Sequence, residues 1–307
     1  MTTATPEARS NPAAPPTVGP RRRLLTALYR RPRAQILLLL TPPAGWFGVV
    51  YLGSLALLLV TAFWTFDGVT GKVVQHWTLD NFGQLISQPA FRTVALRTLL
   101  FAVAVTAADM LIAFPIAYYM AQVAGRRSRS VLFMLCLLPL WASYLVRVYA
   151  WRVILSPNGP LDWLLGLFGQ KPAGLYPSDL GAGIVFTYLW LPYMILPLYA
   201  GLERVPRSLL EASADLGARS ATTFRRIVLP LVLPALTAGS IFTFSLTLGD
   251  YITPGLVSNN QFIGNVIFEQ QGVSGNLPLA AAFTLVPVGI MAVYLFVARR
   301  LGAFEAL

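Results

Sequence analysis

Residues fit for covalent or metal chemistry are scarce in this chain. It holds one histidine, His76, and one cysteine, Cys136. A lone cysteine excludes an internal disulfide and a cysteine metal cluster, and a lone histidine leaves no imidazole set for a metal. Cys136 has no base near it, and no neighbouring apolar runs share a pair of carboxylates for acid–base work. No G-x-x-x-x-G-K-[ST] string occurs, so the chain lacks that cradle for ATP. The chemistry left to it is non-covalent. It rests on isolated charges inside apolar sequence, aromatic rings beside them, and one charged stretch broken by a glycine.

The isolated charges are Asp109, Arg147, Arg152 and Asp250. An ionisable residue near the centre of a bilayer costs ~2.5–3.5 kcal/mol on insertion scales, so it pairs or lines a cavity. Asp109 and Arg147 fall at similar depth in adjacent apolar runs. Two roles stand open for Asp109: an internal pair with Arg147 that fixes helix packing, or a place, like Asp250, on the route of a cation. If the pair forms, Asp250 and Glu269 are left to face a cation near one mouth. Arg152, near an end of its run, is placed to snorkel. Aromatics crowd the same half: Trp141, Tyr144, Tyr149, Trp151, Trp190, Tyr193 and Tyr251. They suit an interfacial belt. Trp141, Tyr144 and Trp190 sit deeper and equally suit a path wall where a cation meets ring faces.

The charged stretch, "EASADLGARSATTFRRIVLP" (211–230), lies between two apolar runs. Ser208 stands three residues before Glu211, the spacing of a capping box. A helix begun there ends at Gly217, where a left-handed residue is expected. "ARSATTFRRIVL" restarts a helix that lasts to Pro230. The expected product is two short helices presenting Leu216, Phe224 and Ile227 among charges. Such a segment lies on a membrane surface or docks a partner.

The surrounding elements are set by composition. The chain is 56% hydrophobic and 11% charged, against about 25% charged in soluble domains, so its solvent is lipid. Six runs approach the ~20 apolar residues that a crossing needs: 36–63, 95–120, 131–155, 183–202, 231–249 and 279–298. Pro42 and Pro43 are expected to break the first, leaving a crossing nearer 44–63. The outer segment 156–182 should hold a small interfacial helix near Leu161 to Phe168. Basic residues gather before the first run (Arg9, Arg21, Arg22, Arg23, Arg30, Arg31, Arg33), after the second, in the 203–230 segment, and after the sixth. The positive-inside rule then makes both termini and that segment cytoplasmic. The net charge of +11 reports topology and anionic headgroups, not nucleic acid. Residues 1–35 read as a disordered basic arm, 36–300 as an all-α, six-helix membrane domain, and 301–307 as a tail.

The charged stretch resembles a motif of bacterial ABC-importer permeases: E-A-A, three residues, Gly, nine residues, then I-x-L-P. Here Glu211, Ala212, Ser213, Gly217, Ile227, Leu229 and Pro230 occupy its positions, with Ser213 for the second alanine. Asp215 and Leu216 fall inside it. "LPLWASYLVRVYAWRVIL" (138–155), "LGDYITPGLVSNNQFIGNVIFEQ" (248–270) and "TLDNFGQLI" (78–86) are similar to the spermidine/putrescine-type permeases, the first of their two paired subunits in particular. Permeases for opines and aminophosphonates share these stretches in part.

The resemblance implies a type I importer permease in the bacterial cytoplasmic membrane. It implies that the 211–230 segment is a coupling helix seated on a separate ATPase, which binds the ATP and Mg while this chain holds no cofactor. It further implies a second, related permease, a pair of ATPase subunits and an external substrate-binding protein. A stand-alone secondary carrier needs coupling-ion sites and usually two related halves; no internal repeat is visible. An intramembrane enzyme lacks its catalytic groups.

Overall fold

A computed structural model describes residues 32–300. Residues 1–31 and 301–307 lie outside it, and with them most of the expected basic arm and the tail. By its contacts the chain divides at Leu58 into two units, and the candidate sites lie in the second.

The first helix is unbroken by its prolines. α1 (Pro32–Trp46) runs through Pro42 and Pro43, passes into a π turn at Phe47–Leu52, and continues as α2 (Gly53–Thr61). The crossing is therefore Leu39–Thr61 rather than 44–63. Two prolines remove two donors, and the wider turn one helical turn after Pro43 takes up the mismatch. The device recurs after Pro115, where a π turn at Tyr119–Val123 extends α4 (Pro89–Tyr118). In lipid such local adjustments re-satisfy freed backbone groups.

Between these helices lie a hairpin, β1 (Thr65–Asp67) paired antiparallel with β2 (Lys72–Val74), and α3 (Asp80–Ser87). Buried Asn81 donates to the carbonyls of Ala62 (2.9 Å) and Trp64 (2.8 Å), tying α3 to the end of the first crossing.

The third expected crossing, 131–155, is not one helix. α5 (Arg126–Trp141) and the stretch Tyr144–Leu167, made of α6 (Tyr144–Leu155) and α7 (Pro160–Leu167), meet at 95°. Pro139 weakens the last turn of α5, and Ala142 and Ser143 are extended. α7 is the short helix expected near Leu161 to Phe168. Among the described residues five helices are long and apolar enough to cross a membrane, or six if the bent pair forms one span.

The core lies where α4, α8 (Asp179–Glu203) and α11 (Leu229–Gly249) pack together. Their approach depends on small residues. A Cβ added at Gly239 would sit 2.7 Å from the Met194 sulfur. Several buried hydroxyls are satisfied within their own helices, as when Thr106 donates to the Ala102 carbonyl (2.7 Å) and Thr247 to that of Thr243 (2.8 Å). After α11 come the short helices α12 (Ile252–Val257) and α13 (Ile263–Gly272), then the last crossing, α14 (Leu277–Arg300).

Candidate functional site

The 211–230 segment folds as a helix, a left-handed stop and a second helix that runs on into a crossing. α9 (Arg207–Asp215) begins at Pro206, not at a Ser208 capping box. The fixed φ of proline sets the start two residues earlier than the polar side chain would. α9 ends at Gly217, whose φ is +72°. The Ala218 amide donates to the Ser213 carbonyl (3.0 Å) and the Gly217 amide to that of Ala214 (2.8 Å), which together make a Schellman stop. α10 (Ser220–Thr223) then passes through a π turn, Phe224–Val228, into α11. The helix does not end at Pro230. The wider turn ahead of the proline relieves the clash its ring would cause.

Two faces result. Leu210 and Ser213 turn inward and Ala214 borders a groove beside Phe114 and Phe224, while Glu211, Ala212, Asp215 and Leu216 are exposed. Leu216 is 87% exposed. Phe224 and Ile227, expected to be exposed, are half-buried: Phe224 packs edge-on against Phe114 of α4 at 5.1 Å. Ser213 is buried, and its hydroxyl lies 2.7 Å from that of Thr223. The small residue thus ties the two helices across the glycine. Leu229 and Pro230 belong to the first turn of α11, so the loop is continuous with a crossing.

A second constellation forms where α6, α8 and the end of α11 meet. Tyr144, Trp190, Ser245, Leu246, Gly249, Asp250 and Tyr251 line a cavity of about 360 Å³. Tyr144 and Trp190 stack at 5.9 Å with planes 9° apart, and Tyr193 meets Trp190 edge-on. The Tyr144 hydroxyl donates to Asp250 Oδ2 and lies 2.7 Å from the Thr253 hydroxyl, which itself reaches Oδ2 at 3.0 Å. Asp250 Oδ1 accepts from the amides of Ile252 (2.8 Å) and Thr253 (3.3 Å), opening α12. The carboxylate is therefore filled by protein donors, and ring faces are what the cavity offers. The indole N–H of Trp190 is buried without a partner.

Two expected members, Trp141 and Glu269, stand outside this cavity. Trp141 is 92% exposed, at the end of α5 beyond the bend, and lies outside this cavity. Glu269 accepts from the Gln261 side chain (2.8 Å), and Tyr251 stacks on its neighbour Phe268 at 4.8 Å. The Asp109–Arg147 pair is not made. Both residues are buried, neither carboxylate oxygen has a partner, and Arg147 Nε and Nη1 have none either. The 95° break redirects α6, so equal depth along the sequence does not become proximity. Arg152 donates to the Tyr176 hydroxyl (3.0 Å) instead of reaching free to the surface.

Residues 113–304 match the family described as the binding-protein-dependent transport system inner membrane component. The chain belongs to this family. It is a multi-pass inner-membrane permease subunit of the type I ABC-importer class. The inner membrane ABC transporter permease protein YdcU of Escherichia coli (strain K12) is 49% identical over 293 residues, covering 91% of this chain and 93% of that one. The spermidine/putrescine transport system permease protein PotB of the same organism is 32% identical over 261 residues, covering 83% and 94%. The crystal structure of a bacterial alginate ABC transporter in complex with alginate pentasaccharide-bound periplasmic protein shares the fold. Its TM-score is 0.67 at 17% identity, over 90% of this chain and 96% of that one.

Both constellations lie within the matched region, whereas Asp109 and the first crossing lie outside it. The Ser213–Thr223 bond and the Thr253 hydroxyl were not foreseen. The nearest signal was Ser213 itself, a hydroxyl at a position where the motif has alanine.

Proposed function

We propose that this permease forms half of the translocation path of an ATP-driven importer for a small polyamine, and that it docks a separate ATPase through the exposed face of α9. The observation that carries the reading is that face: Glu211, Ala212, Asp215 and Leu216 stand free on a helix whose other side is locked to a crossing. A charged and apolar surface held this rigidly suits transmission of a partner's motion.

The substrate reading rests on the cavity of Tyr144, Trp190 and Tyr251 with Asp250 behind the rings. Aromatic faces attract an ammonium group by about 0.5–2 kcal/mol, and a carboxylate nearby favours the same charge. The relative PotB is a spermidine/putrescine transport system permease by name. In this reading both termini, the basic arm and the 203–230 loop face the cytoplasm. A second, related permease closes the path, a pair of ATPase subunits binds ATP and Mg, and an external binding protein delivers the solute. The test is ATP hydrolysis by the reconstituted complex, scanned across polyamines, opines and aminophosphonates. Stimulation by polyamines supports the reading; stimulation only by an opine or an aminophosphonate replaces the substrate and keeps the importer.

A further inference from the structure

We propose that the groove between α5 and α8 is a binding site for an anionic phospholipid. The groove encloses about 550 Å³ and is lined by Arg129, Ser130, Phe133, Met134, Leu137, Leu138 and Trp141 of α5 and by Tyr199 of α8. It is polar at one end only. Arg129 and Ser130 mark that end, and apolar side chains continue to Trp141. From Arg129 to Trp141 an α-helix rises roughly 18 Å. One leaflet of the ~30 Å hydrocarbon core is about 15 Å deep, so the groove has the length of one acyl chain with its headgroup at the arginine end.

The charge at that end selects the headgroup. Arg126 and Arg127 are exposed in the first turn of α5, and Arg204 is exposed just beyond α8. None of the three is in an ion pair; the one ion pair among the described residues joins Arg129 to Glu203 at 3.3 Å. That pair leaves Arg129 Nε buried without a hydrogen-bond partner. Glu203 is further occupied by the Tyr199 hydroxyl (3.2 Å), which closes the side of the groove. Arg207 reaches the Gln122 carbonyl (3.4 Å) at the same end. Arginines in excess of carboxylates, set at the mouth of an apolar channel between membrane helices, match a phosphodiester with net negative charge better than a zwitterionic one. They also match it better than an apolar protein face, which would leave the arginines unanswered.

The experiment uses the purified full chain, delipidated in detergent and re-exposed to phosphatidylglycerol or phosphatidylcholine of equal chain length. Bound lipid is counted by native mass spectrometry, and thermal midpoints are recorded with each lipid. Wild type is expected to retain phosphatidylglycerol over phosphatidylcholine by about tenfold or more. Arg126→Gln with Arg127→Gln, both on the surface, should erase that preference while leaving helix content and total lipid binding intact. Leu137→Trp, which fills the groove, should reduce retention of both lipids. Equal retention of the two lipids by wild type overturns the proposal, as does a preference unchanged in the arginine variant. Unaltered retention of both lipids by the Leu137→Trp chain also overturns it.

Discussion

The hydroxyls of Ser213 and Thr223 lie 2.7 Å apart across the turn at Gly217. Ser213 is on α9, and Thr223 is on the helix that becomes a crossing. Their bond makes the loop one body with α11. A neutral hydrogen bond of this kind contributes about 0.5–1.5 kcal/mol. Ser213→Ala is therefore expected to lower the thermal stability of the loop modestly and to reduce ATP hydrolysis per solute moved. Thr223→Val should do the same, and the double variant less than the sum of both, because they remove one interaction. Strictly additive losses would show that the two hydroxyls act apart.

Gly217 has φ +72°, and nothing lies within 4 Å of where its Cβ would be. Any effect of substitution there comes from the backbone and not from a clash. Valine is expected to cost about 1–2 kcal/mol for the left-handed conformation and to uncouple hydrolysis from uptake. Asparagine, which tolerates that region, should keep most of the coupling. Equal behaviour of the two variants in a coupled uptake assay would count against the turn as the sensitive element.

Glu211 is exposed on the free face of α9 and is in no ion pair. Glu211→Lys leaves the fold of the chain unchanged and reverses a charge where the ATPase is proposed to sit. Co-purification of the ATPase subunit should fall, most clearly at low salt where surface charges are least screened. A yield independent of both charge and salt would move the docking surface elsewhere.

Asp109 and Arg147 are buried and unpaired. A double-mutant cycle of Asp109→Asn and Arg147→Gln is expected to give a coupling within about 0.5 kcal/mol of zero. Neither single change should carry the loss of several kcal/mol that breaking a buried pair brings. A thermal denaturation series on the four proteins reads this directly, and a large favourable coupling would restore the pair.

In the aromatic cavity the rings and the hydroxyl are separable. Tyr144→Phe removes the bond to Asp250 and keeps the ring stacked on Trp190, whereas Trp190→Leu removes the largest ring face. Polyamine uptake should survive the first change with a small loss. It should fall by up to about thirtyfold in the second, the upper range of one cation–π contact. The reverse order would make the Asp250 network, not the rings, the substrate contact.

The loop was legible in the sequence because its signals are local. The stop at Gly217 depends on one residue without a Cβ, and the exposure of Leu216 beside it follows from its place at the helix end. The long crossings were legible for the same reason, since apolar length needs no knowledge of neighbours. What depends on direction was not. Nothing local announces that Pro139 and an extended Ala142–Ser143 turn the chain by 95°, and that turn parts Arg147 from Asp109 and Trp141 from Trp190. Prolines misled in the opposite sense. At Pro42, Pro43 and Pro230 a helix expected to stop continues through a wider turn, because in lipid an unpaired backbone costs more than a distorted one. The filled carboxylate of Asp250 also lay beyond reach, since Tyr144 is brought to it by packing across more than a hundred residues.

The most direct test of the coupling account is ATP hydrolysis by the full complex in liposomes, with and without polyamine-loaded binding protein, for the native chain and for Leu216→Lys. Leu216 is 87% exposed and supports no core, so the variant should fold and assemble its membrane part normally. Loaded binding protein should stimulate hydrolysis with the native chain, and the stimulation should collapse with Leu216→Lys. Equal stimulation in the two complexes would contradict the coupling account.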